Sequence, residues 1–246
     1  MSRYVLPEIQ ELRAVKTRRE VACIVKAQRT SEIVLQKAVK KLKVGVSEIA
    51  LAKFIVAEFK RQGVKALAFE PIVAFGKGSA DIHHFATKAK LKKNQIVMFD
   101  FGCTMGGYCS DMTRTYFFGT ATAKFKQVYT AVLAAQERAL MLLARGEKKA
   151  SRVDASARKF LHKKFGSSKF THGLGHGIGA VIHEWPNFKP KSPDVLPAGC
   201  VMTVEPGVYL PGWGGVRVED MVVVEKKGAR NLTRAPKQFN HIVIPA

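Results

Sequence analysis

The spacing of apolar positions changes character three times along the chain. Residues 8 to about 29 are rich in good helix formers, with apolar side chains at Leu12, Val15, Cys23 and Val25, which predicts a first helix. Two more helices are predicted over residues 31–43 and 47–62; each opens on a serine suited to capping, and Gly45 and Gly63 supply the stops. From Phe69 the runs shorten. Residues 69–75, 95–102 and 113–118 are apolar stretches bounded by glycine-rich turns and read as strands. Helices return over residues 124–144 and 150–164, and strands over 200–204, 207–210 and 215–224, while 186–197 reads as a surface loop. Helices, strands, helices and strands again predict an α+β fold of two helix-then-sheet halves sharing one core.

Composition narrows this only a little. With 47% hydrophobic and 24% charged residues over 246 positions, the chain is expected to be one globular domain, not a disordered, collagen-like or coiled-coil protein. No segment reaches the roughly 18 uncharged apolar residues of a membrane helix, and the N-terminus lacks a signal-peptide centre, so the expected location is cytoplasmic. Cys23, Cys103, Cys109 and Cys200 form no CxxC pair and are expected as reduced thiols.

Charge is the least ordinary feature. Forty-one Lys and Arg against 19 Asp and Glu give a net +22. The basic residues are scattered in short groups such as Lys40-Lys41 and Lys163-Lys164, so contact with nucleic acid or a ribosome is only weakly suggested and a solvated basic surface is the simpler reading. Residues 171–187 contain no Lys or Arg at all.

That uncharged-by-cation stretch holds candidate chemistry. His172, His176 and His183 lie within twelve positions, among glycines that argue against a helix and allow imidazoles to crowd together; His83-His84 is a further pair. On one side of it, Asp100 ends an apolar strand and Asp111 arrives just before the next, so one hairpin can bring two carboxylates together. On the other side, Glu205 closes an apolar run and Glu219 sits inside another, two residues from Arg217, with which a plain salt bridge is the alternative. Carboxylates so placed carry a heavy desolvation cost unless something positive meets them. Four carboxylates and one imidazole make an oxygen-rich set suited to two divalent ions about 3.5–4 Å apart.

These residues resemble the pita-bread metallopeptidases, the family of methionine aminopeptidases, Xaa-Pro aminopeptidases, prolidases and creatinases. The resemblance is carried, in order, by Phe99-Asp100-Phe101-Gly102, Ser110-Asp111-Met112-Thr113-Arg114-Thr115, His172-Gly173-Leu174-Gly175-His176, Val204-Glu205-Pro206-Gly207 and Val216-Arg217-Val218-Glu219-Asp220. It covers the chain from about Arg13 to the last strand. It implies the pita-bread fold, with pseudo-twofold halves, and two divalent metals, manganese first with cobalt, iron or zinc as alternatives. The implied ligands are Asp100, Asp111, His176, Glu205 and Glu219, with Asp111 and Glu219 bridging and Glu205 also shuttling the proton of a bridging hydroxide.

Ser79-Ala80-Asp81-Ile82-His83-His84 and the segment from Gly207 to Asp220 look like the proline-specific branch. That implies hydrolysis of the N-terminal Xaa-Pro bond of peptides with a free N-terminus. It also implies accessory roles for His83, His172 and His183 as donors to substrate, and Arg217 behind the carboxylates. A homodimer is a further expectation. Two departures stand out: Ala180 replaces a larger aliphatic, and the N-terminal domain usual in this branch is expected to be absent, leaving residues 1–246 as one catalytic domain. A methionine aminopeptidase-type enzyme, and a non-catalytic pita-bread module binding through its basic surface, are the alternative readings.

Overall fold

The computed structural model describes residues 7–246. Its helices are α1 (Pro7–Ala14), α2 (Arg18–Val39), α3 (Glu48–Arg61), α4 (Ala123–Ala144), α5 (Ala150–Phe165) and α6 (Phe239–Ile242). Strands in the first half are β1 (Ala66–Leu67), β2 (Ile72–Phe75), β3 (Gln95–Asp100), β4 (Cys103–Met105), β5 (Tyr108–Cys109) and β6 (Thr113–Phe118). The second half carries β7 (Gly175–Gly177), β8 (Glu184–Phe188), β9 (Val201–Val204), β10 (Gly207–Leu210), β11 (Gly214–Arg217), β12 (Asp220–Val224) and β13 (Ala229–Asn231), and the chain closes with β14 (Val243–Ile244).

The helix boundaries of the first third differ from those expected. The single helix over 8–29 is divided at Val15–Thr17, because Thr17 and Glu20 form a reciprocal capping box that starts α2 afresh. Ser31 begins no helix. It lies inside α2, fully buried, with its hydroxyl 2.9 Å from that of Ser110, so burial against the first hairpin overrides its capping preference. Ser47 does cap α3, accepting from the Ala50 amide. Helices α2 and α3 are joined by the buried Glu58, which accepts from Lys37 at 2.6 Å and from Arg61 at 2.7 Å.

Two sheets form the centre. One has the order β14-β6-β3-β2 and the other β13-β12-β9-β7-β8; all pairings are antiparallel except β14 with β6. Their core strands are buried because helices cover them: α2 and α3 belong to the first half, α4 and α5 to the second. Among the described residues no helix is long and apolar enough to cross a membrane.

The two halves repeat one device. In the first sheet β3 pairs with β6 so that Asp100 faces Thr113, placing Asp100 and Asp111 at one end of the hairpin. In the second, β9 pairs with β12 so that Val204 faces Asp220, and Glu205 and Glu219 flank that pair. Four carboxylates therefore leave the sheets at equivalent strand ends.

Two expected elements are corrected. Residues 215–224 are not one strand: β11 pairs with β10, β12 pairs with β9, and Val218-Glu219 is the corner between the two-stranded β10-β11 ribbon and the five-stranded sheet. Residues 186–197 are not wholly a loop, since β8 runs to Phe188 and pairs Asn187 with His176.

Candidate metal centre

The corner at Val218-Glu219 is built by contacts between the halves. The Glu219 amide donates to the Thr113 carbonyl at 3.1 Å, and the Thr113 hydroxyl donates to Glu219 Oε2 at 2.7 Å. Behind it, Gln136 of α4 donates to the carbonyls of Val204 and Val218, satisfying backbone that the corner withdraws from the ladder. Glu219 is thereby held at a fixed angle with one oxygen, Oε1, buried and without a partner.

His176 enters from β7, where glycine is obligatory on packing grounds. A Cβ at Gly175 would lie 2.1 Å from the Thr203 carbonyl, and one at Gly177 2.5 Å from that of Trp185. The glycines let β7 lie hard against its neighbours, as the sequence suggested. The imidazole places Nδ1 3.0 Å from the Gly177 carbonyl, which can only accept, so Nδ1 carries a proton and Nε2 is the atom turned toward the carboxylates. That Nε2 lies 3.5 Å from Asp111 Oδ2 and 3.4 Å from Glu205 Oε1.

Asp111, His176 and Glu219 offer ligand atoms that all lie within 4.8 Å of one another. Glu205 joins them through His176 and is oriented by the Thr203 hydroxyl at 3.1 Å. Asp100 lines the same cavity, with Oδ2 held by Arg217 Nη2 at 2.5 Å and Oδ1 buried without a partner. The salt bridge considered between Arg217 and Glu219 does not form; Arg217 reaches across to Asp100, Thr113 and Tyr209 instead.

The electrostatics are those of a site short of positive charge. Burial raises Glu205 to about 7, against the His176 imidazole and with help from the Asp111 charge. Burial likewise raises Asp100 to about 6, with Arg217 offsetting part and Asp111 adding to it. Glu219 is pushed well above the carboxylate range by burial and by Asp111, Glu205 and Asp100. Against its own burial, His176 is raised to about 9 by Asp111 and Glu205. Among the described residues the only buried carboxylate oxygens without a partner are Asp100 Oδ1 and Glu219 Oε1. Crowded acids with orphaned oxygens fit divalent cations, which would supply the missing partners.

His83, His172 and His183 all line this cavity of about 250 Å³, with the apolar Phe69, Ile72, Ile82 and Ile182 also in its lining. His183 stacks edge-on to His176 with ring centres 4.4 Å apart. His172 is engaged at both nitrogens: Nδ1 meets the Gly173 carbonyl at 2.7 Å and Nε2 the Tyr209 hydroxyl at 2.8 Å. Burial, with Arg217 adding to it, lowers this imidazole to about 3, so it is neutral, its one proton sits on Nδ1, and Tyr209 donates to Nε2 while accepting from Arg217 Nη1 at 2.9 Å. Tyr209 was not among the residues picked out for chemistry. Its signal was a tyrosine in the apolar strand four residues after Glu205, which alone is indistinguishable from a core tyrosine.

Paired helix-then-sheet halves that deliver carboxylates at matching strand ends, with one imidazole between, define the pita-bread architecture. Residues 22–226 match the model of metallopeptidase family M24, and the chain belongs to that family. It is 35% identical over 231 residues to the Xaa-Pro dipeptidase of Pyrococcus furiosus, covering 94% of this chain and 66% of that protein. It is 37% identical over 225 residues to an uncharacterised peptidase of Staphylococcus saprophyticus, covering 92% and 64%. Among solved structures, the X-Pro aminopeptidase of Thermotoga maritima superposes with a TM-score of 0.91 at 34% identity, over 97% of this chain and 66% of that one. The prolidase of Pyrococcus furiosus gives 0.89 at 35%, over 93% and 68%. The chain thus spans 63–66% of the length of the first curated relatives it matches.

Proposed function

We propose that residues 1–246 act as a single catalytic domain, a dinuclear metal-dependent exopeptidase that hydrolyses the N-terminal Xaa-Pro bond of peptides. The observation that carries this reading is the convergence of Asp100, Asp111, His176, Glu205 and Glu219 on one cavity wall, where two buried carboxylate oxygens have no protein partner. The proline preference rests on the relatives named Xaa-Pro dipeptidase, X-Pro aminopeptidase and prolidase. Two divalent ions, manganese first, which Asp100, Asp111, His176, Glu205 and Glu219 would hold, would supply an activated water and Lewis acidity toward the scissile carbonyl.

The chain's own residues do the rest. Glu205, oriented by the Thr203 hydroxyl and beside His176, is the carboxylate placed to take a proton and return it to the departing proline nitrogen. Asp100, fixed at Oδ2 by Arg217, keeps Oδ1 on the side where the substrate's free amine would be neutralised. His83 and His183 are the imidazoles available to donate to the substrate carbonyl, while His172 holds the Tyr209 hydroxyl in place. The Phe69, Ile72, Ile82 and Ile182 wall suits a pyrrolidine ring and an apolar first side chain.

The test is a panel of Xaa-Pro dipeptides, Xaa-Pro-Xaa tripeptides and Met-Ala-Xaa peptides incubated with the protein and Mn²⁺. Release of the residue before proline is expected. Preferential release of methionine before alanine would instead assign a methionine aminopeptidase, and no hydrolysis of any member would leave a peptide-binding module.

A further inference from the structure

A second cavity, of about 120 Å³, shares His183 with the catalytic cavity; Arg13, Val181, Glu184 and Trp185 are among its other walls. Glu184 is the only acid of that lining among the described residues; besides the Val181 amide at 3.2 Å, two cations meet it. Lys16 Nζ lies 2.7 Å from Oε2, with a side chain only 2% exposed; Arg13 Nη2 lies 3.2 Å from Oε1, with its side chain 41% exposed. The buried lysine is the close partner and neutralises the carboxylate. Arg13, longer and half in water, brings a net positive charge and free N–H groups to the cavity.

The catalytic cavity itself offers a peptide's far end nothing comparable. Its one Lys or Arg among the described residues is Arg217, buried and committed to Asp100, Thr113 and Tyr209. A short peptide held by its amine at Asp100 would carry its α-carboxylate at the opposite end of the bound chain. The neighbouring cavity, which shares His183 with the first, presents the Arg13 guanidinium.

Resting on the peptidase reading above, we propose that Arg13 anchors the α-carboxylate of short peptide substrates, so that the second cavity is a C-terminal subsite and the enzyme prefers oligopeptides of one limited length over long chains. The guanidinium fork suits a carboxylate, and Glu184, steadied by Lys16, orients it.

The experiment compares Xaa-Pro, Xaa-Pro-Ala and Xaa-Pro-Ala-Ala, each as free acid and C-terminal amide, with Mn²⁺-loaded protein. At the length that spans the two cavities, the acid is expected to exceed the amide about tenfold in kcat/KM, mostly through KM, as one partly exposed charge-assisted contact allows. Arg13→Gln should bring the acid-to-amide ratio toward one, Arg13→Lys should keep part of it, and Arg152→Gln, an exposed arginine of α5, should leave the ratio as in the parent. Affinities of the same acids and amides, read by calorimetry, give the preference independently of turnover. Acid preference in binding without hydrolysis would overturn the peptidase reading and leave the subsite standing. Equal binding and turnover of acids and amides at every length, or an acid preference that survives Arg13→Gln, would overturn the subsite.

Discussion

Arg114 donates from Nη1 to the main-chain oxygen of Glu219 at 2.5 Å, from a side chain with no exposure to solvent. The same guanidinium reaches the Thr113 carbonyl at 3.0 Å, Asp220 Oδ1 at 2.7 Å and the Ala235 carbonyl at 2.8 Å. It therefore ties β6 of the first half to the corner that presents Glu219 in the second. Arg114→Met should cost about 3–5 kcal/mol in urea unfolding, since Asp220 keeps only Lys237 as a charged partner. Arg114→Lys, which keeps charge but not the fork, should bind Mn²⁺ about tenfold more weakly by calorimetry. Unchanged metal affinity in a folded Arg114→Lys protein would reduce Arg114 to a stabilising role.

Glu205→Gln removes the group placed to carry a proton while keeping its shape and the Thr203 contact. A fall in kcat of about 10²–10⁴-fold is expected, with peptide affinity largely kept. A turnover number equal to that of the parent would rule out the assigned role.

Tyr209→Phe deletes the hydroxyl between Arg217 and His172 and leaves a buried donor and a buried acceptor unpaired. The stability loss should be about 1–3 kcal/mol. Turnover should fall as well, because Arg217 also holds Asp100; if kcat and KM both match the parent, the chain from His172 to Asp100 has no part in catalysis.

Gly175→Ala would put a Cβ 2.1 Å from the Thr203 carbonyl, a contact that only movement of β7 or β9 can relieve. Either movement displaces His176 or Glu205. The expected result is a lowered Tm together with loss of the Mn²⁺-induced thermal shift, both read by scanning fluorimetry; a normal shift would show that the strands separate without disturbing the ligands.

Glu58 is held down to about 2 by Lys37 foremost, then Gln62 and, against its own burial, Arg61. A carboxylate with a lowered folded pKa contributes stability that is complete above the unfolded value of about 4.5 and is lost as pH falls through about 2. The stability gap between parent and Glu58→Gln should therefore be constant above pH 5 and close between pH 4.5 and 2, by denaturant titration. A gap independent of pH would place the contribution in packing.

The ligands were legible as residue types at strand ends because an apolar run that stops on an acid is a local pattern. Asp100 and Glu205 follow that rule, Asp111 stands just before the next apolar run, and the glycines around His176 betrayed close packing before any contact was known. Less legible were the elements whose limits depend on partners far along the chain. Ser31 looks like a cap by itself and becomes a buried hydroxyl because Ser110 lies against it. Glu219 looks like a strand residue because apolar residues lie on both sides of it between Val216 and Val224, and only the switch of partners from β10 to β9 makes it a corner.

The sequence by itself determined the two-halved architecture, the family and the five candidate ligands, all of which are written in short-range periodicity and motif spacing. Tertiary structure alone decided that Arg217 serves Asp100, 117 residues away, and not its near neighbour Glu219; that His172 is a neutral partner of Tyr209; and that Arg13 lies across His183 from the catalytic cavity. The reason is directional. Side-chain hydrogen bonds are won by distance and angle between separate sheets, and no pattern along one strand records how another strand crosses it.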